Sequence, residues 1–298
     1  MIENTGQITT QVILDKGEKE DSRFKEFCQR FMNNRPAFVA FILLAIIVVS
    51  SIMAPLLAPY SPYEGEITDR YLVVGSEGHL LGTDEQGRDI LSRVLHGGQL
   101  SLLAGFMPVI IAALIGGFLG IVAGYFGGWI NTIIMRTLDI FYAFPAVLLA
   151  IGISAALGQG ITNIIIAISV VFIPPVARVA ESAVKEVREE EFIEAAKTSG
   201  ARSFSIIRYH IIMNIFSKIF VYSTTQISIS LVLASGLSFL GLGVSPPTAE
   251  WGIMLNNLKG QIFIDPIVTI IPGLFIFITA LTINLVADGF RDALEIKQ

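Results

Sequence analysis

Side chains able to do chemistry are few in this chain, and they are scattered. His79, His96 and His210 stand far apart and lack the spacing of metal ligands. The single Cys28 has no internal disulfide partner and lies in a polar stretch without metal-site spacing. No Gly-x-x-x-x-Gly-Lys-Ser/Thr loop is present to cradle ATP phosphates. No Ser/His/Asp or Cys/His set shares a credible loop, so nothing proposes the mutual geometry of an active site. These residues predict no enzyme, no cofactor and no bound metal. Two polar sets remain. One is the run 181–200, which reads as a charged helix ending at Gly200. The other is Ser223, Thr224, Thr225, Gln226, Ser228 and Ser230, embedded in an otherwise apolar stretch.

The elements that must position both sets are membrane spans. Apolar residues make up 53 % of the 298-residue chain and charged residues only 15 %, with a mean hydropathy of +0.69. Soluble domains carry about 25 % charged residues. The charges also cluster: residues 36–63, 94–135, 140–177, 219–249 and 266–287 contain none. A span needs roughly 20 mainly apolar residues, so an ordinary soluble enzyme and a disordered chain are excluded. The net charge of −5 offers no basic surface for nucleic acid. Long continuous apolar runs disfavour a transmembrane β-barrel.

Spans are expected at about 37–59, 100–125, 140–157, 161–177, 219–243 and 266–287. The third and fourth form a hairpin split at Gly158-Gln159-Gly160, and Gly241, Gly243, Pro246 and Pro247 stop the fifth. The first span is read as retained, since it is longer than a signal-peptide apolar region. Pro174-Pro175 predicts a bend or break in the fourth span, as a fixed kink or a hinge. Gly116, Gly120 and Gly124 recur at four-residue spacing and suit close helix approach, within the chain or to a second subunit. Sixteen of the 20 Lys and Arg residues fall on one side of this layout. The positive-inside rule therefore puts both termini and the 178–218 loop in the cytoplasm.

Residues 181–199 hold strong helix formers without Gly or Pro, and Gly200 suits the left-handed position just past a helix end. A short amphipathic segment, 203–212, follows. Helix, turn and helix between two spans would make a cytoplasmic elbow, with Phe192 and Ile193 as apolar anchors. From the pattern alone, an amphipathic loop lying on the membrane surface fits as well. The polar set on the fifth span could line a translocation path or bond to the backbone and neighbouring helices. The external segment 60–98, with seven acids and three arginines, reads as a solvated face. Leu81–Gly98 is expected as an interfacial helix.

Glu194-Ala195-Ala196, then three residues and Gly200, resembles the Glu-Ala-Ala loop of ABC importer permease subunits. His210 and Asn214 keep that pattern's register, with Met213 where proline is usual. His79–Asp84 with Gly87–Arg93 resembles the dipeptide, oligopeptide and nickel branch. So do Gly124–Trp129, Asp139 with Ala143–Pro145, Leu237–Gly243 with Trp251-Gly252, and Asn284 with Asp288–Asp292. The match covers about residues 23–295. It implies an all-α polytopic membrane protein with six transmembrane helices and the type I ABC importer permease fold. Its layout would be a cytoplasmic segment 1–36, a first span 37–59, an extracytoplasmic segment 60–98, a permease core 99–290 with coupling loop 181–212, and a tail 291–298.

The resemblance further implies a homologous second permease subunit, two ABC ATPase subunits and an extracytoplasmic substrate-binding protein as partners. The chain would then be embedded in membrane lipid and import di- or oligopeptides. Glu194, Ala195, Ala196 and Gly200 would dock the ATPase. Ser223, Thr225, Gln226 and Ser230 are the candidates for the translocation path. Nickel or metal-chelate import within the same family is the first alternative. A stand-alone secondary transporter is the second, opposed by charge-free span interiors and the absence of a visible inverted repeat. A non-transport membrane scaffold would need neither the elbow nor the polar fifth span.

Overall fold

A computed structural model describes residues 25–294. Most of the cytoplasmic segment expected at 1–36, and residues 295–298 of the tail, lie outside the described residues. The described residues are helical without a β-strand; they hold two isolated bridges, Ser76–His79 and Thr83–Asp89. After a helical stretch at 25–33, the main helices are α1 (Arg35–Ile52), α2 (Ile90–Phe126), α3 (Gly128–Tyr142), α4 (Ala146–Leu157), α5 (Ile161–Arg188), α6 (Glu191–Thr198), α7 (Ile212–Phe239), α8 (Trp251–Leu258) and α9 (Pro266–Leu294). Helical turns at Ser203–Ile206 and a π-helical Ile207–Ile211 lead into α7 without a gap.

Among the described residues, five helices are long and apolar enough to cross a membrane. A sixth span is reached only if α3 and α4 count together; they are bent by 88° at Ala143–Pro145, the form of a broken span or a re-entrant loop. The stretch expected as the third span, 140–157, is therefore divided between two helices, and Pro145 explains the break. Its ring removes an N–H donor and restricts the preceding residue. Pro55 acts similarly near the first span, where α1 stops at Ile52 and a short helix Ala54–Leu57 follows.

The break allowed at Pro174-Pro175 does not occur: α5 is one helix through both prolines, with α2 packed against it. That packing is made by small residues. A Cβ on Gly120 would come within 2.3 Å of the Ala177 carbonyl oxygen, and one on Gly116 within 2.7 Å of the Ile173 carbonyl oxygen. The Gly116–Gly120–Gly124 stripe thus serves contact within this chain. Around it, Val109, Ala112, Ala150, Ile164, Ile168 and Phe172 form the main core between α2, α4, α5 and α7.

Two further expectations change. Leu81–Gly98 is not an interfacial helix. Residues 82–89 are mostly loop, and Ile90 and Val94 are fully buried first turns of α2. The run 181–199 is not one helix either. Residues 181–188 finish α5, the chain turns at Glu189-Glu190, and α6 covers only Glu191–Thr198.

The bundle has two ends. One gathers the 60–89 loop, the Gly158–Gly160 turn and residues 240–265, joined by Gly160 N–H to Leu242 O at 3.2 Å and Arg93 Nη1 to Pro247 O at 3.1 Å. We call it the Asp84 end. The other gathers the α2–α3 turn, α6 and both described chain ends, joined by Asn34 Nδ2 to Asp292 Oδ2 at 3.0 Å. We call it the Gly200 end.

Candidate coupling helix and polar membrane face

α6 is two turns of helix held on one side. Ile193 is fully buried among Val184, Val187, Ile206, Ile211 and Ile215, and Ala196 packs beside it. Glu194, Ala195, Lys197 and Gly200 are exposed. Of the two small residues expected to face a partner, Ala195 points outward and Ala196 toward the bundle. No hydrogen bond or ion pair of the Glu194 side chain is formed among the described residues. Phe192 is 43 % exposed and tilts against His210, with ring centroids 6.1 Å apart.

The C-terminus of α6 follows from Gly200. Its φ is +79°, in the left-handed region, and a Cβ there would meet nothing within 4 Å. Ala201 N–H reaches Ala196 O at 3.1 Å and Gly200 N–H reaches Lys197 O at 3.0 Å. This double closure is the Schellman motif. It reverses the chain so that α6 hangs between the ends of α5 and α7. The support beneath is firm. Arg188 Nη1 donates to Gly124 O (3.2 Å) and Tyr125 O (3.0 Å), tying α5 to α2. Lys218 Nζ meets Glu186 Oε2 at 2.7 Å, tying α7 to α5. Displacement of α6 would therefore be passed to two spans.

The polar set on α7 divides between faces. Ser230 is fully buried and donates to Ala104 O at 3.2 Å. Ser228 donates to Asn284 Oδ1 at 2.6 Å. Ser223 is buried beside an apolar groove between α2 and α7. Thr225 and Gln226 are half-buried on another side. Gln226 Nε2 donates to the Tyr222 hydroxyl at 2.7 Å. Thr225 and Tyr222 line a cleft of about 380 Å³ with Lys218 and Arg291. The four candidate residues thus do not converge on one surface.

At the Asp84 end the sequence reading missed the main feature. Asp84, Arg88, Asp89 and Arg93 are each at most 2 % exposed, so they are not part of a solvated face. Arg88 Nε pairs with Asp84 Oδ2 at 2.7 Å, and Arg93 Nε approaches the same oxygen at 3.5 Å. Arg93 Nη1 donates to Pro62 O at 2.6 Å and to Pro247 O. Asp89 caps α2, accepting Ser92 N–H and Oγ–H at 2.7 Å each, and its other oxygen lies 3.0 Å from His79 Nδ1. The signal was present as Asp-x-x-x-Arg-Asp placed directly before an apolar run, which is a cap signature.

Glu250 is a second buried acid at this end. It caps α8 through Gly252 N–H (2.9 Å) and Ile253 N–H (3.1 Å) and accepts Ser101 Oγ–H at 2.9 Å. Burial raises its carboxyl above the ordinary range, and these donors oppose the shift. Trp251, fully buried beside it, donates Nε1–H to Val94 O at 2.9 Å.

Similarity to known proteins agrees with this architecture. Residues 116–297 match the family described as the binding-protein-dependent transport system inner membrane component. Residues 22–73 match the N-terminal transmembrane domain of oligopeptide transport permease C. The chain is 39 % identical over 289 residues to the glutathione transport system permease protein GsiD of Pectobacterium atrosepticum, covering 97 % of this chain and 95 % of that one. It is 42 % identical over 284 residues to GsiD of Escherichia coli O6:K15:H31, covering 95 % and 94 %. Among solved structures, the MetNI methionine ABC transporter in an inward-facing conformation aligns with a TM-score of 0.56 at 17 % identity, over 69 % of this chain and 98 % of that one. An amino acid ABC transporter crystallised with histidines aligns at 0.53 and 16 %, over 66 % and 92 %. The two structures share the fold alone, but the family match covers more than half of the chain, including α3 to α9, and this chain belongs to the inner-membrane permease subunits of binding-protein-dependent ABC transport systems.

Proposed function

We propose that this chain is one half of the pore of an importer for small peptides, with glutathione-like tripeptides within its range. The observation that carries the reading is α6, a two-turn helix with one buried anchor, Ile193, and an exposed face bearing Glu194 and Ala195. Such a helix is braced to transmit a push and has no need of an active site of its own. The relatives' transport of glutathione, and the match to an oligopeptide permease domain, support the peptide class.

In this reading the Gly200 end faces the cytoplasm, as the clustering of Lys and Arg there supports. Glu194, Ala195 and Gly200 meet an ATPase subunit, and Ala196 seats the helix. A homologous permease completes the pore, and a second ATPase serves it. A substrate-binding protein delivers solute at the Asp84 end. Closure of the ATPase pair moves α6, and through Arg188 and Lys218 the motion reaches α2, α5 and α7. Thr225 and Gln226 line the route, and Ser230 ties α7 to α2.

The test is a Cys28→Ser chain carrying Ala195→Cys, assembled with its ATPases. A short bifunctional maleimide should link it to an ATPase subunit, with a yield that changes on adding ATP. Failure to link, with the complex intact by size-exclusion chromatography, would show that α6 is not the docking element.

A further inference from the structure

Burial of Arg88 and Arg93 changes what the 60–89 loop shows to water. Glu64, Glu66, Glu77 and Glu85 are exposed and Asp69 is half-buried, while Arg70 is the one exposed Lys or Arg of that loop. Part of this acidic surface is shaped into a cleft of about 310 Å³. Glu64, Glu66, Asp69, His79 and Asp89 line it together with Tyr60, and no Lys or Arg does. The rim is held in place by close backbone contact, since residues 64–66 lie directly on the turn at 86–88. A Cβ on Gly65 would come within 2.5 Å of Gln86 O, and one on Gly87 within 1.9 Å of Glu66 O. Tyr60 N–H donates to Ser92 Oγ at 3.1 Å, which ties the start of the loop to α2.

The floor of the cleft carries an unfilled acceptor. His79 is 9 % exposed, and its ring lies against that of Tyr60 with centroids 4.8 Å apart. An ionised carboxylate only accepts hydrogen bonds. Asp89 Oδ1, 3.0 Å from His79 Nδ1, therefore fixes the ring proton on that nitrogen. Nε2 of the neutral ring is then an acceptor. Asp69 Oδ2, a second acceptor, lies 3.9 Å from it, and no hydrogen bond to Nε2 is formed among the described residues. Two acceptors face each other and lack a donor between them.

Acceptors, negative charge and an aromatic wall together call for a cation that carries N–H donors. A metal ion is disfavoured, because among the described residues no three His, Cys, Asp or Glu side chains are placed to hold one. An ammonium or guanidinium fits, since it brings three or more donors. The volume, roughly ten times the ~30 Å³ share of one water, admits such a head. We propose that this cleft receives a Lys or Arg side chain of the substrate-binding protein as it docks. The assignment rests on the importer reading above and supplies a contact for its docking face. The acidic surface around the cleft steers a basic partner face toward it, so both the encounter rate and the affinity depend on salt.

The experiment measures the affinity of the system's own binding protein for the assembled importer in lipid nanodiscs, over a range of salt. Glu64→Gln with Glu66→Gln removes two exposed rim charges. The pair should weaken binding about tenfold at low salt, the factor of one charge-assisted contact, and the gap should close as salt rises. Glu77→Gln with Glu85→Gln removes the same charge from the same loop outside the cleft, and should weaken binding by about twofold or less. Equal losses in the two pairs leave only a general acidic field and overturn the cleft. Unchanged binding in both also overturns it, and unchanged binding with altered uptake places the cation on the solute instead. Loss of the second permease from the complex, seen by size-exclusion chromatography, would put the cleft in a subunit contact and overturn the assignment. In all of these the importer reading stands. A binding protein that does not bind even the unaltered importer sinks that reading and the cleft with it. Glu64 and Glu66 are exposed, so their replacement leaves the fold intact, and Asp69→Asn gives a second, independent loss at the floor.

Discussion

The two ends of the bundle handle charge in opposite ways. At the Asp84 end, Asp84, Arg88, Asp89, Arg93 and Glu250 are withdrawn from water and spent on caps and cross-links between loops and α2. At the Gly200 end the ion pairs are solvated: Lys218 and Glu186 have side chains 46 % and 66 % exposed, and the Glu194 side chain is exposed. Buried pairs lose much when one partner is removed, whereas exposed pairs lose little. The first end is therefore held more tightly than the second, and in the function proposed above a lever at the second end works against a frame at the first.

That contrast breaks most easily at Asp84. Asp84→Ala leaves Arg88 and Arg93 buried without their carboxylate, and should cost about 3–5 kcal/mol. Thermal unfolding of the purified subunit in detergent would measure it; a loss under 1 kcal/mol, no larger than an exposed pair gives, would erase the distinction between the ends. Glu250 comes next. Glu250→Ala strands the Ser101 hydroxyl and two α8 N–H groups, a loss of about 1–3 kcal/mol.

Glu250 also gives a pH signature. Because its carboxyl is raised in the folded state, its contribution is full below the ordinary carboxylate range. That contribution falls as pH rises through the raised value. Glu250→Gln should keep the cap and flatten this part of the stability–pH curve. An unchanged curve would mean that the carboxyl is not desolvated.

At the other end, Gly200→Val forces a β-branched residue into a left-handed turn, a strain of about 1–2 kcal/mol. Its larger readout is functional, since uptake should fall while ATP hydrolysis continues. Normal uptake would place the coupling contact elsewhere. Lys218→Ala should change stability by only about 0.2–1 kcal/mol, given how exposed the pair is. A loss as large as that of Asp84→Ala would show that the Gly200 end is no softer than its opposite.

The sequence made the spans legible wherever apolar runs were long, and it made Gly200 legible because only a left-handed turn suits that residue there. It allowed a break at Pro174-Pro175 that does not form: proline can break an isolated helix, but α2 packs against α5 there, and no local rule contains that support. It misjudged 60–98 for a related reason. Charge in a loop reads as solvated until tertiary packing closes residues 247–250 over it. The polar set on α7 was visible as a set, yet its division between Ser230 inside and Gln226 outside depended on where α2 and α9 lie.

By itself the sequence determined the membrane habitat, the helical class, the clustering of its basic residues and a single elbow candidate. These depend on composition and period, which are local properties of the chain. The tertiary structure alone decided which charges are buried, that the chain bends by 88° between α3 and α4, and that Arg178 meets Asp139 and the Tyr142 ring. Those outcomes depend on distances between residues far apart in sequence, fixed when Gly116, Gly120 and Gly124 let two backbones meet.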